Sequence, residues 1–259
     1  MSFKIIKRLP STEEIISKIP LSDKDCLSIQ QHQTEIKNII SGQDDRLLVI
    51  VGPCSAWPAP AVIQYAKQLT QLDKLINHSI KIVMRVYIQK PRTQTGWAGA
   101  LTQSNPLLPP DIYTGMHYTR KMMVDIISMG MAISDEALFT HSTRGFIELL
   151  SWVAIGARSS EDQEHRVFAS SLNCPVGIKN PTNGSIKIGV NGVISAQHPH
   201  VAIFDGFEVE TSGNQYAHLV LRGGEGKPNY SESHLLEAMN TMHEYKIANP
   251  AIIVDVSHD

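Results

Sequence analysis

The sequence has 259 residues, 42% of them hydrophobic and 19% charged, with a formal net charge of −2. That length is ample for one large buried core, and the near-neutral balance argues against a protein built to bind nucleic acid or an acidic membrane surface. No apolar run approaches a bilayer span, no apolar leader follows Met1, and Cys26, Cys54 and Cys174 show no paired spacing, so a cytoplasmic protein without disulfides is expected.

Residues 1–45 stand apart as an N-terminal extension, with helical patches at 12–19 and 28–41 punctuated by Pro10 and Pro20. From residue 46 onward short Val- and Ile-rich runs alternate with longer amphipathic stretches. The runs fall at 47–51, 80–88, 129–134, 152–157, 174–179, 217–222 and 251–256. Helix-like segments lie between them, among others at 59–72, 113–128, 143–150, 163–171 and 231–245. Continuous apolar strands separated by helices predict a parallel sheet covered on both faces. Seven such strands imply a barrel or a doubly wound sheet. A weak alternating pair, 201–204 and 207–209 around Asp205-Gly206, reads as a small hairpin.

The informative pattern is what stands at the strand ends. The first strand runs into Gly52-Pro53-Cys54-Ser55, and the second carries Arg85 with Lys90-Pro91-Arg92-Thr93 in the loop beyond. The third ends at Glu136, the fourth in Gly156-Ala157-Arg158, the fifth in Lys179-Asn180, the sixth in Arg222-Gly223-Gly224 and the seventh in Ser257-His258. In a parallel barrel the C-terminal strand ends converge on one mouth, where such folds carry their chemistry. Arg85, Lys90, Arg92, Arg158, Lys179 and Arg222 would then gather in one place. A single cation after a strand is ordinarily a solvated loop charge. Six at successive strand ends call for anionic ligands, and phosphate and carboxylate suit the arginine fork. Cys54 and His258 form a weaker pair, a thiolate and an imidazole suited to a metal, with Glu136 the one well-placed carboxylate. His198-Pro199-His200 has no acidic or thiol partner near it and reads as a loop. Gly223-Gly224-Glu225-Gly226-Lys227-Pro228 is no Walker A loop, because Pro228 stands where Ser or Thr should hold magnesium. Neither a dinucleotide fingerprint nor a nucleophile elbow is present.

At this point the residues resemble a known family. Leu47-Leu48-Val49-Ile50-Val51-Gly52-Pro53-Cys54-Ser55, Met84-Arg85-Val86-Tyr87 with Lys90-Pro91-Arg92-Thr93, and Gly96-Trp97 are similar to the type I 3-deoxy-D-arabino-heptulosonate 7-phosphate (DAHP) synthases. So are Ile155-Gly156-Ala157-Arg158-Ser159-Ser160-Glu161 with His165-Arg166, Pro175-Val176-Gly177-Ile178-Lys179-Asn180, Leu221-Arg222-Gly223-Gly224 with Pro228-Asn229-Tyr230, and Asp255-Val256-Ser257-His258. The resemblance runs from about Leu9 to the end, in the family's order and spacing.

The resemblance implies an α/β fold of the (β/α)8 TIM-barrel type, with the N-terminal extension over 1–45, the barrel over 46–259 and a small inserted hairpin. It implies condensation of phosphoenolpyruvate (PEP) with erythrose 4-phosphate at the head of the shikimate pathway to aromatic amino acids. It also implies a divalent metal (Mn2+, Fe2+, Co2+ or Zn2+) and a homo-oligomer. Arg85, Ala157, Arg158, Lys179 and Arg222 match the family's PEP contacts, and Lys90 matches a lysine near the reacting centre. Arg92 and Thr93 match residues that engage erythrose 4-phosphate, and Cys54 and His258 match two metal ligands.

Several family features have no counterpart in this sequence. The eighth strand and the last two metal ligands of the family are missing, and the hairpin is short. Ala56-Trp57-Pro58 stands where the family has Ile-His-Asp, and Ala98 where it has a lysine. These departures set a second expectation beside the enzyme: a catalytically impaired paralogue or fragment that binds PEP or serves as a regulatory or interaction subunit. A third expectation is a related PEP-dependent synthase acting on another phosphorylated aldose.

Overall fold

The computed structural model describes residues 2–91, 96–138, 145–204 and 206–257. Its first two helices, α1 (Thr12–Lys18) and α2 (Asp23–Ile40), each start at a serine in a reciprocal capping box, Ser11 with Glu14 and Ser22 with Asp25. Such caps satisfy backbone donors that the first helical turn leaves orphaned. The buried residues Ile29, Ile36 and Ile40 form one stripe of α2, with the spacing of a single helical face.

Seven strands then form one parallel sheet in the order β1 (Leu47–Val51), β2 (Ile80–Arg85), β3 (Ile133–Ala137), β4 (Trp152–Ile155), β5 (Val176–Lys179), β8 (Ala217–Leu221) and β9 (Ile252–Val254). Between them run α3 (Ala59–Ile76), α4 (Ile112–Ile127), α5 (Gln163–Ser170), α6 (Ile186–Gln197) and α7 (Glu232–Glu244). A separate antiparallel pair, β6 (Val201–Phe204) and β7 (Phe207–Glu210), precedes β8.

The sheet curls, so that β1 and β9 line one cavity of about 560 Å³. Val83, Tyr87, Trp152, Ala154 and Val220 pack together on the concave side, while Ile82, Met84, Ile133, Ile155, Ile178 and Leu219 meet the helices on the other. Burial on both faces explains why inner strands such as β4 read as unbroken apolar runs, whereas the edge strands β1 and β9 are partly exposed. No helix among the described residues is long and apolar enough to cross a membrane.

Size complementarity fills the concave side. A Cβ on Gly177 would collide with the Trp152 ring. The Trp152 indole N–H donates to His218 Nε2 at 3.2 Å, and His218 Nδ1–H donates to the Tyr216 carbonyl at 2.9 Å. Because a carbonyl only accepts, this pairing fixes the neutral tautomer. Near the N-terminal ends of the strands the extension is bolted on, with Ile36 and Ile40 packed in one cluster with Trp152. The fully buried Arg120 donates Nε–H to the Ile19 carbonyl at 2.9 Å and Nη1–H to Glu148 Oε1 at 2.5 Å. Lys81 Nζ meets Glu35 at 2.8 Å.

Two sequence expectations need correction. The third strand runs from Ile133 to Ala137 rather than over 129–134, because Gly130 takes φ +88 and its N–H caps α4 through the Ile127 carbonyl. The helix expected at 143–150 is reduced to a single 3-10 turn, Ile147–Leu149; Gly145 with φ +75 stops helical continuation before it, and residues 143 and 144 lie outside the described residues. Helix α6 has a weak sequence signal, since Gly189 and Gly192 and several β-branched residues lower its propensity. The glycines are there for packing: a Cβ at Gly189 would stand 2.7 Å from Leu219 Cδ1, and one at Gly192 2.8 Å from Ile178 Cγ2.

Candidate functional site

All seven strands are parallel, so their C-terminal ends share one rim. Arg85 closes β2, Lys179 closes β5, Ala157 and Arg158 follow β4, and Arg222 follows β8. Pairing of Ile155 with Ile178 and of Lys179 with Val220 puts Arg158 and Arg222 each about two residues beyond the level of Lys179. Lys179 and Arg222 are buried, whereas Arg158 is exposed.

Two of these cations have defined surroundings. Lys179 Nζ donates to Asp255 Oδ2 at 2.9 Å, and the two side chains are only 8% and 12% exposed. The Arg85 guanidinium lies 4.2 Å from the centroid of the Tyr87 ring, and its Nε finds no hydrogen-bond partner among the described residues. Arg85, Tyr87, Lys179 and Asp255 line the same 560 Å³ cavity. Burial raises the Tyr87 phenol well above its ordinary range, so the ring stays neutral beneath the guanidinium. Gly52 permits the close approach of β1: a Cβ there would stand 2.8 Å from the Arg85 carbonyl.

Lys90 and Cys54 meet across the first two strand-end loops. The ammonium donates to Cys54 Sγ at 2.7 Å and to the Cys54 carbonyl at 2.9 Å. The hydrogen bond from Lys90 lowers the thiol pKa, with burial opposing it and the charges of Lys90 and Arg85 adding to it. The backbone brings the loops together as well, through Ala56 N–H to the Tyr87 carbonyl at 2.9 Å.

A thiol pushed toward its ionised form suits a metal ligand. Among the described residues, however, no group of three or more His, Cys, Asp and Glu side chains is placed to hold an ion. Glu136 stands at the floor of the rim, where a Cβ on Gly156 would strike its Oε1. His258, Arg92 and Thr93 lie outside the described residues.

Sequence reasoning missed three participants. Tyr87 was detectable, because residues two apart on a strand share a face and Arg85 fixes which one. Asp255 carries no local signal for pairing with a lysine 76 residues away. The buried Asp135, which accepts N–H groups from Glu136 at 2.8 Å and Ile88 at 3.4 Å, is pushed up to about 8 by burial. It stands just past the apolar run at 129–134, and nothing in the neighbouring residues marks an aspartate there as buried.

Residues 19–259 match the DAHP synthetase I family. The chain is 36% identical over 255 residues to phospho-2-dehydro-3-deoxyheptonate aldolase of Corynebacterium glutamicum, covering 96% of this chain and 69% of that protein. It is 38% identical over 252 residues to the enzyme of the same name from Haemophilus influenzae, covering 94% and 68%. Its fold superposes with a TM-score of 0.94 on the structure of phospho-2-dehydro-3-deoxyheptonate aldolase from Francisella tularensis, at 37% identity, over 99% of this chain and 76% of that one. With the family's motifs standing at successive strand ends of one parallel sheet, this chain belongs to the DAHP synthetase I family.

Proposed function

We propose that this chain condenses PEP with erythrose 4-phosphate to give DAHP and inorganic phosphate, the entry step of aromatic amino acid biosynthesis. The observation that carries the reading is the set of cations at the C-terminal strand ends, Arg85, Arg158, Lys179 and Arg222, on one rim of the parallel sheet. Arg85, Arg158, Lys179, Arg222 and the Ala157 N–H are assigned to the phosphate and carboxylate of PEP. Arg92 and Thr93 are assigned to erythrose 4-phosphate. Family members are generally metal-dependent, and Cys54 and His258 would hold a divalent ion. When bound, that ion supplies Lewis-acid polarisation of the aldehyde carbonyl.

The chain's own residues account for the remaining steps. The cations fix the enolphosphate so that its C3 faces the aldehyde carbon, which removes most of the orientational cost of the encounter. The C3 electron pair forms the new carbon–carbon bond, and the carbonyl oxygen takes a proton from Lys90 Nζ. Water adds to C2, which has become electron-poor, and loses a proton. The C2 hydroxyl then passes its proton to the departing phosphate as the carbon–oxygen bond to phosphate breaks, leaving the C2 ketone and inorganic phosphate. The same cations stabilise charge on the departing phosphate.

The space between β1 and β9 is read as the place of an eighth strand that would close the barrel, with residues 1–45 as an extension outside it. Exposed Phe3, Ile5 and Ile6 on the extension and Val201, Ile203 and Phe207 on the hairpin support assembly of copies into a homo-oligomer. The test is PEP binding by calorimetry, beside PEP consumption with erythrose 4-phosphate and manganese and a chelator control. Arg158→Ala should abolish detectable PEP binding while leaving the fold intact. Unchanged affinity in that folded variant overturns the assignment.

A further inference from the structure

The cations are not the only polar groups at the rim. Asn180, next to Lys179, is fully buried, and Asn229, in the segment after β8, is only 6% exposed. Neither has a role in the chemistry above, yet their carboxamides are almost completely engaged. Asn180 Oδ1 accepts the Arg222 N–H at 2.9 Å and Asn229 Nδ2–H at 3.1 Å. Asn180 Nδ2 donates to the carbonyls of Pro181 at 2.8 Å and Gly223 at 2.9 Å. Asn229 Oδ1 accepts the Gly223 N–H at 2.7 Å, and its second Nδ2–H goes to the Gly184 carbonyl at 3.1 Å.

The location of this network explains what it does. The β5–β8 ladder ends where Lys179 pairs with Val220, followed by one further bond from Asn180 N–H to the Val220 carbonyl at 3.0 Å. Beyond that level the sheet no longer fixes the chain, and Gly223 turns it away with φ +74. The two carboxamides take over there, gripping the main chain of Arg222 and Gly223 from both sides. A Cβ on Gly224 would stand 2.1 Å from the Gly184 amide nitrogen, so the two strand-end loops approach closely there. A fully satisfied buried polar network of this kind permits one arrangement and penalises others.

We infer that Asn180 and Asn229 are positioning residues that fix the Arg222 guanidinium relative to the Lys179 ammonium, and thereby set affinity for the anionic groups of PEP. The inference rests on the PEP reading above. Neither side chain needs to touch the substrate. Displacing one cation by a fraction of an ångström loses the pre-organisation that makes two charges act on one anion.

The experiment is a double-mutant cycle on the full chain, with Asn229→Ala and Arg222→Lys, read by calorimetry with PEP and, in parallel, with inorganic phosphate. Asn229→Ala removes three hydrogen bonds of the network and should weaken PEP binding roughly tenfold through the loosened Arg222, while KM for erythrose 4-phosphate stays unchanged. In the Arg222→Lys background the same substitution should cost less than about threefold, because the fork it serves is gone. Asn229→Ser, which keeps a hydroxyl, should lose less than Asn229→Ala and serves where the alanine variant does not fold. Unchanged PEP affinity in a folded variant, or an equal cost in both backgrounds, overturns the positioning role. A wild-type chain that ignores PEP but shows the same coupling with phosphate overturns the PEP reading alone, and one that binds neither overturns both.

Discussion

Asp255→Asn separates the two consequences of the Lys179 ion pair. The pair spans 2.9 Å between side chains that are mostly buried. Its Coulomb attraction is about 6 kcal/mol at an effective dielectric of 20, most of it offset by desolvation of the two charges. Removing one partner leaves the other charge uncompensated, which for buried pairs costs about 3–5 kcal/mol. The cavity beside Lys179 lets solvent reach it, so the lower end, about 3 kcal/mol, is expected. For a chain of this length that corresponds to a fall in Tm of roughly 6–12 °C. The same substitution removes a negative charge facing the proposed anion site, so PEP and inorganic phosphate should bind about tenfold more tightly, equivalent to about 1.4 kcal/mol. Thermal unfolding with and without saturating phosphate checks both effects together: low Tm without the anion, and a larger rescue by it than in wild type. An unchanged Tm in the absence of anion, or equal stabilisation of both proteins by phosphate, would refute the argument.

Two further outcomes follow from the interior. Gly177→Ala drives a methyl into the Trp152 ring and Val220, and chemical denaturation should show a loss of about 1–3 kcal/mol; a neutral result would mean the Trp152 ring has room to move. Burial holds His218 down to about 4. Its unfolded value is near 6.5, so the unfolded chain binds the extra proton between those limits. Stability should therefore be fully present above pH 6.5 and fall by about 3 kcal/mol as pH drops toward 4. His218→Gln keeps an acceptor for the Trp152 indole, and urea midpoints measured against pH should lose that acid-sensitive component. The same acid slope in the variant would assign it to other groups.

Periodicity and local chemistry carried much of this protein. The apolar run at 152–157 reads as a strand buried on both sides because it has no polar alternation, and Trp152–Ile155 is buried throughout. Arg85, Arg158, Lys179 and Arg222 could be assigned to one rim, since a parallel sheet sends every strand end the same way. The Ser-x-x-Glu pattern at Ser11 opens a helix through bonds made within four residues. What the sequence could not show depends on contacts between residues far apart in the chain. Gly189 and Gly192 lower helix propensity, and only the close approach of β5 and β8 explains them. Lys179 finds its counter-charge in Asp255, and Asn180 finds Arg222 and Asn229, only after the sheet has curled. Local bonds and side-chain period are encoded within a few residues, so sequence determined the elements and the end of the sheet where charge gathers. Which charges pair, which remain open to a ligand and which carboxamides hold them is set by burial and distance, and these exist only in the tertiary structure.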